Sequence, residues 1–387
     1  MISQIIFQKT PALKLIVIVS VVLTAQCQAM ERDNSHELSS MICTQPQYSF
    51  NNPAIAKIED EEERKFARSV RTVQMVAWQG NSLLISSPLP ISPHLLPGHS
   101  KEVGCLTVIN PETQKTIWSE DGNFYDVSLG GQGLEVAGTR VFGYSKRSYH
   151  SSVLPEASVY AIKSGNQIMS KRSSQYAYPC TIGWLSRDTV SISDTELSIL
   201  NLQTMENRVF AGHKTYKTGS LVVPRRGGSS EITLGYNDKI EMIDIATGKS
   251  KKTISLKSDD QVVMNLDWNP EGSKLFVLFC LRIMAASKIG SLFVYSSRDS
   301  FTKPFVVNDR DIAVAVWLDN DHIVTAKGKQ IYLQNANDGK VVKTFQKKGD
   351  DEDICDVCIN SPGTKIASAT KNSVDIWPID DEKSTEE

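Results

Sequence analysis

Two short runs in this 387-residue chain have the residue types of a reactive site. "TGKS" at Thr247–Ser250 has the ending of a phosphate-cradling loop, in which backbone N–H groups and a lysine hold a nucleotide's phosphates. That loop also requires a glycine five residues before its Gly-Lys pair; Ile243 stands there, so the run reads as a hairpin turn. "CDVC" at Cys355–Cys358 has the spacing of a redox or zinc half-site. On a strand, residues i and i+3 point to opposite faces, so two thiolates there cannot share one metal, and both read as buried structural cysteines. The six histidines, His36, His94, His99, His150, His213 and His322, show no metal-ligand spacing. No Gly-X-Ser-X-Gly nucleophile turn and no His-Glu-X-X-His helix occurs. The expectation is therefore no catalytic residue, no metal and no cofactor in a chain that is not an enzyme.

The elements that hold these residues recur. "CLTVINPETQ", "SVYAIKSGNQ", "LSILNLQTMEN", "IEMIDIATGKS", "LFVYSSRDS", "IYLQNANDGK" and "SVDIWPI" are each a short apolar strand, six of them running into a polar turn. Their anchors, Cys105, Ser158, Leu197, Ile240, Leu292, Ile331 and Val374, stand 39 to 53 residues apart. A strand–turn–strand unit lies upstream of each, as in "NLDWNPEGSKLFVLF", and a further strand follows most of the turns. Four strands per repeat at this period mark the blades of a propeller, stacked so that neighbours bury both faces of each sheet. The fold class is all-β, a seven-bladed β-propeller of four-stranded antiparallel blades.

On "NPEGSKLFVL", "NSPGTKIASATKNSVDIW" and the Gly212-His213 pair before blade four, the chain resembles the WD40-repeat β-propeller family over nearly all of residues 73–380. The departures are specific: Trp377 is followed by Pro378 rather than Asp, and no other blade is preceded by a Gly-His pair. The buried Asp–His–Ser–Trp network of that family is therefore not expected to be general here. Blade seven has only three strands at the C-terminus. Its fourth is expected from the N-terminal segment 30–72, within Ser40–Ile58 and with "AIAKI" at Ala54–Ile58 as the candidate beside Val374–Ile379.

Lys9 and Lys14, the apolar run Leu15–Ala25 and the small residue Ala29 read as a secretory signal peptide over residues 1–29. The run is about half of the ~20 residues a membrane-crossing helix needs, so no span is expected once the signal is removed. A lipoprotein at Cys27 is disfavoured by the bulk of Gln26. The chain is thus expected to be exported, periplasmic or secreted, with an acidic tail at 381–387. Lys+Arg (42) nearly balance Asp+Glu (44), which gives no nucleic-acid surface. The six cysteines outside the signal are spread around the ring, so they form no disulfide framework.

One feature points to a binding role. The connections between second and third strands are long in blades one, two and five, and all emerge on one rim, as binding loops on repeat proteins do. The candidate partner-binding residues are His94, Leu95, Leu96 and His99 in blade one, Tyr144, Lys146, Arg147, Tyr149 and His150 in blade two, and Arg282 in blade five. The functional expectation is an exported scaffold for a protein or peptide partner, its oligomeric state open. The alternative is an extracytoplasmic propeller enzyme, lactonase-like hydrolase or quinoprotein.

Overall fold

The computed structural model describes residues 42–43, 46–51, 75–79, 82–87, 105–121, 123–129, 135–141, 156–161, 167–172, 181–186, 188–193, 196–214, 221–226, 230–236, 239–256, 261–281, 290–302, 304–346, 352–360 and 362–379. The expected signal peptide and acidic tail lie outside them. No helix among them is long and apolar enough to cross a membrane.

Among the described residues the strands form seven antiparallel sheets. Blade one is Met75–Gln79, Ser82–Ser87, Cys105–Asn110 and Lys115–Asp121. Blade two is Asn123–Leu129, Glu135–Val141, Glu156–Ala161 and Gln167–Arg172. Blade three is Thr181–Ser186, Thr189–Ser193, Glu196–Asn201 and Asn207–Lys214, and blade four Leu221–Pro224, Glu231–Gly235, Lys239–Asp244 and Ser250–Ser255. Blade five is Gln261–Trp268, Lys274–Leu281, Gly290–Ser296 and Phe305–Ile312. Blade six is Val314–Trp317, His322–Lys327, Gln330–Asn335 and Val341–Gln346, with the two-residue strand Ile42–Cys43 as a fifth member. Blade seven is Asp356–Ile359, Lys365–Ala369 and Ser373–Pro378, completed by Tyr48–Asn51. The expectation of seven four-stranded blades is corrected: six sheets have four strands, and the remaining one has five.

The first strands are innermost and touch in sequence from blade one to blade seven, whose Asp356–Ile359 returns to Met75–Gln79. The Val76 N–H donates to Asp356 Oδ2 at 2.9 Å across that junction. Gathering the short inner strands around the ring protects their edges from pairing with further strands.

The closing strand lies within the expected segment but earlier than Ala54–Ile58. Tyr48–Asn51 runs antiparallel to the last strand, Tyr48 opposite Ile376 and Asn51 opposite Ser373, and the Gln47 N–H donates to the Ile376 carbonyl. "YSFN" has the aromatic β-formers that "AIAKI" lacks. Residues 54–58 lie outside the described set.

Neighbouring blades supply the core. In "KLFVLFCL" of blade five, Leu275, Val277 and Phe279 pack with Ile240 and Met242 of blade four, while Phe276 and Leu278 pack with Ala315, Trp317 and Ile323 of blade six. Both faces are buried, so the strand is apolar without alternation. Each such side chain contributes roughly 1.5–3 kcal/mol by leaving water.

Two polar signatures shape the turns of one rim. Where the first strand turns into the second, Asn269 Oδ1 accepts from the Ser273 and Lys274 N–H groups at 2.8 Å each. Asn360 Oδ1 does the same for Thr364 and Lys365. Where the third strand turns into the fourth, the last strand residue again caps the turn. Asn110 accepts from Glu112 and Thr113, Asn201 from Gln203 and Thr204, Asp244 from Thr247, and Asn335 from Asn337. Four residues after each cap the backbone is left-handed: Gln114 (φ 56°), Met205 (57°), Gly248 (72°) and Gly339 (71°). "TGKS" is one of these turns, as its sequence implied.

Left-handed backbone costs a non-glycine residue about 1–2 kcal/mol, and Met205 is 58% exposed, so its side chain repays little of that. Met205→Gly is expected to stabilise the fold by about 0.5 kcal/mol, after subtracting glycine's extra unfolded-state entropy. Gly248→Ala should move the urea midpoint the other way by about 1 kcal/mol. A destabilised Met205→Gly would show that the turn is not held as described.

Candidate partner-binding rim

The antiparallel order sends first-to-second and third-to-fourth turns to one rim, and second-to-third connections to the other. On that second rim the roots are paired: Ser87 faces Cys105, Arg140 faces Glu156, and Phe279 faces Ser291. The connections leaving these roots run from Ser87 to Cys105, from Val141 to Glu156 and from Leu281 to Gly290. Between the corresponding strands of blades three, four, six and seven only two or three residues intervene. The unequal lengths expected for blades one, two and five are therefore present, and they share a rim. His94, Leu95, Leu96, His99, Tyr144, Lys146, Arg147, Tyr149, His150 and Arg282 lie in these connections, outside the described residues.

The same rim holds a part-buried polar cluster that sequence reasoning missed. Glu352, just before the first strand of blade seven, accepts at Oε2 from the Thr370 hydroxyl (2.9 Å) and the Asn372 N–H (3.0 Å), and at Oε1 from Asn372 Nδ2. Lys329, Ile354, Ser368, Asp375 and Trp377 line a small cavity with Glu352 and Thr370. Trp377 Nε1 donates to Ser368 Oγ at 2.9 Å, and both residues are 1–2% exposed. Blade seven thus holds a buried Trp–Ser pair, with a glutamate ordering the adjacent turn. Within the acidic stretch "GDDEDICD" nothing separates Glu352 from its neighbours by type, so no sequence signal could have singled it out.

The opposite rim is tied to itself. Arg225 donates through Nη1 to Glu231 (2.6 Å) and through Nε to the Gly272 carbonyl (2.9 Å), with its guanidinium 4.9 Å from the Trp268 ring centroid. Burial alone would raise the Glu231 pKa, but Arg225 and Lys251 hold it below the usual carboxylate range. Arg226 reaches Asp267 at 2.9 Å, and burial nevertheless pushes that carboxyl up. Lys274 spans to the Asn320 carbonyl, Asp321 and Asn337 of blade six. These polar groups are occupied with one another across blades four to six and form a girdle there.

Among the described residues no group of three or more His, Cys, Asp or Glu could hold a metal ion. Cys105, Cys280, Cys355 and Cys358 are in no disulfide. The expectation of two buried cysteines in "CDVC" is corrected: Cys355 and Cys358 are both only half-buried, and Cys355 precedes the strand on which Cys358 lies. Burial, and then Asp356, push the Cys358 thiol well above its ordinary pKa. His213 sits on the fourth strand of blade three, with its side chain outside the described set.

No protein-family model matches the chain, and no curated protein does. Solved structures do. The C-terminal WD40 domain of Sif2 superposes with a TM-score of 0.53 at 14% identity, over 79% of this chain and 81% of that one. The Cps50 (Swd1) β-propeller domain of Myceliophteria thermophila superposes with a TM-score of 0.55 at 11% identity, over 80% of this chain and 98% of that one. At such identities the likeness concerns the fold, and it agrees with the four-stranded blades, the ring contacts and the closing strand: the chain is a WD40-like β-propeller.

Proposed function

We propose that the chain is an exported scaffold that binds a protein or peptide partner on the rim of the long connections. The observation that carries this reading is the asymmetry between rims. Three long connections leave one rim from paired strand roots, while the turns of the other spend their polar groups on one another. Tyr144, Arg147 and Tyr149 supply the aromatic and guanidinium types that anchor interfaces, and Leu95 and Leu96 supply apolar area. Export rests on Leu15–Ala25 and its flanks.

Capture experiments with the mature protein as bait test the reading. Shortening 88–104, or replacing Tyr144 and Arg147 together by Ala, should weaken capture by about tenfold or more, the effect of losing roughly 1.4 kcal/mol of anchor energy. Thermal stability should not move. Glu112→Ala and Gln203→Ala, exposed on the opposite rim, are the controls; Asn337 would be a poor one, because it also holds Lys274. Loss of capture in the controls, with none in the loop variants, would reverse the assignment of the rims.

A further inference from the structure

The fourth strand of blade seven differs from every other fourth strand in three ways. It has four residues where the others have six to eight. It arrives from the opposite end of the chain, whereas the others follow their third strands after four to eight residues. And the sheet it completes is packed by its neighbours: Val374 and Ile376 against Val76, Leu83 and Ile85 of blade one, Trp377 against Leu333 and Phe345 of blade six. The three resident strands therefore keep their core whichever strand lies on their outer edge.

We propose that Tyr48–Asn51 is an exchangeable strand, which closes blade seven either of its own ring or of a second copy, so that two rings join by reciprocal exchange. The occupant is fixed by fit. The edge Ser373–Ile376 already accepts this sequence in a defined register, and a second copy presents the same residues to the same edge. Reach is sufficient, because the 23 residues between Asn51 and Met75 extend to about 75 Å. A unit of this size has a radius of gyration of only about 20 Å. Both states contain the same pairings, so the balance follows the effective concentration of the tethered strand, on the order of mM. The single ring then dominates at about 10 µM, and the pair grows in as concentration approaches about 1 mM. Such a pair would carry two binding rims in one particle.

The test uses the mature protein in three forms. Asn51→Cys and Ser373→Cys, opposite one another in the ladder, are placed on separate chains, mixed at about 1 mM and oxidised. Disulfide-linked pairs absent from wild type are expected, falling away at hundredfold dilution before oxidation. The double variant on one chain should bridge internally at low concentration. Internal bridging there with no mixed pairs at high concentration overturns the proposal. A separate readout does not depend on the thiols. The connection 52–74 is cut to one residue, so that Asn51 and Met75 lie two residue steps apart, a reach of about 7 Å, against the ~14 Å that three strand spacings occupy between an outer and an inner strand. Light scattering should then find a dimer at concentrations where wild type is a monomer. A folded or open monomer in that variant overturns the proposal whatever the cross-links show.

Discussion

Trp268→Ala is expected to destabilise the ring by about 3–5 kcal/mol, the range for removing a buried large aromatic. That is a sizeable part of the ~5–15 kcal/mol that holds a typical native state. The indole is 0% exposed at the end of the first strand of blade five, and it joins two blades by three different contacts. Its Nε1 donates to Thr233 Oγ1 of blade four at 2.9 Å. Arg225 of blade four stacks at 4.9 Å from its centroid, and Phe301 meets it edge-on at 5.6 Å. Alanine leaves a cavity, an unpartnered buried hydroxyl on Thr233 and a guanidinium with no ring beneath it. Trp268→Phe keeps most of the apolar contact and loses the donor, which should cost about 1–3 kcal/mol through the orphaned hydroxyl. Urea midpoints of the two variants separate these effects. A cost below about 1.5 kcal/mol for alanine would mean that the blades are not joined here as described.

How much of this could be read in the sequence follows from how local each cause is. Blade strands such as "KLFVLFCL" and turns such as "NPEGSK" announce themselves, because a run buried on both faces and an asparagine cap four residues before its target are both written within ten residues. The need for an outside strand in blade seven was legible from the missing member of the repeat. Its identity was not, since "YSFN" and "AIAKI" are two short runs in the same segment, the aromatic content of the first is a weak signal, and the ladder to Ser373–Ile376 is what decides between them. Contacts between blades were out of reach altogether. Arg225 of blade four meets Gly272 and Trp268 of blade five, more than forty residues away. Such pairings depend on the ring having closed, and no spacing rule encodes them. The candidate binding residues in the blade-one, blade-two and blade-five connections rest on connection length and residue type, with only the strand roots beneath them fixed by the fold.

The two asparagine-capped turns offer a controlled comparison of what a glycine does in each. Gly272 in "NPEGSK" and Gly363 in "NSPGTK" stand at the same place after the cap, with φ values of 70° and 72°. Left-handed backbone should therefore penalise alanine about equally at both, by roughly 1 kcal/mol. Their surroundings differ. A Cβ on Gly363 would meet the tip of Leu318 at 3.3 Å, which a flexible side chain can relieve. A Cβ on Gly272 would lie 2.2 Å from the Arg226 carbonyl oxygen, a backbone atom of the neighbouring blade. Relief there requires the blade-four turn to withdraw, and with it the Arg225 Nε bond to the Gly272 carbonyl, the stacking on Trp268 and the Arg226–Asp267 pair. Gly272→Ala is accordingly expected to cost about 2–4 kcal/mol, adding an overpacking penalty of about 1–3 kcal/mol to the dihedral one, while Gly363→Ala stays near 1 kcal/mol. Equilibrium unfolding of the two variants under one condition measures the difference, which belongs to the close approach of blades four and five alone. Equal losses at the two positions would remove the girdle's claim to hold those blades at contact distance, because the glycine would then be serving only its own turn.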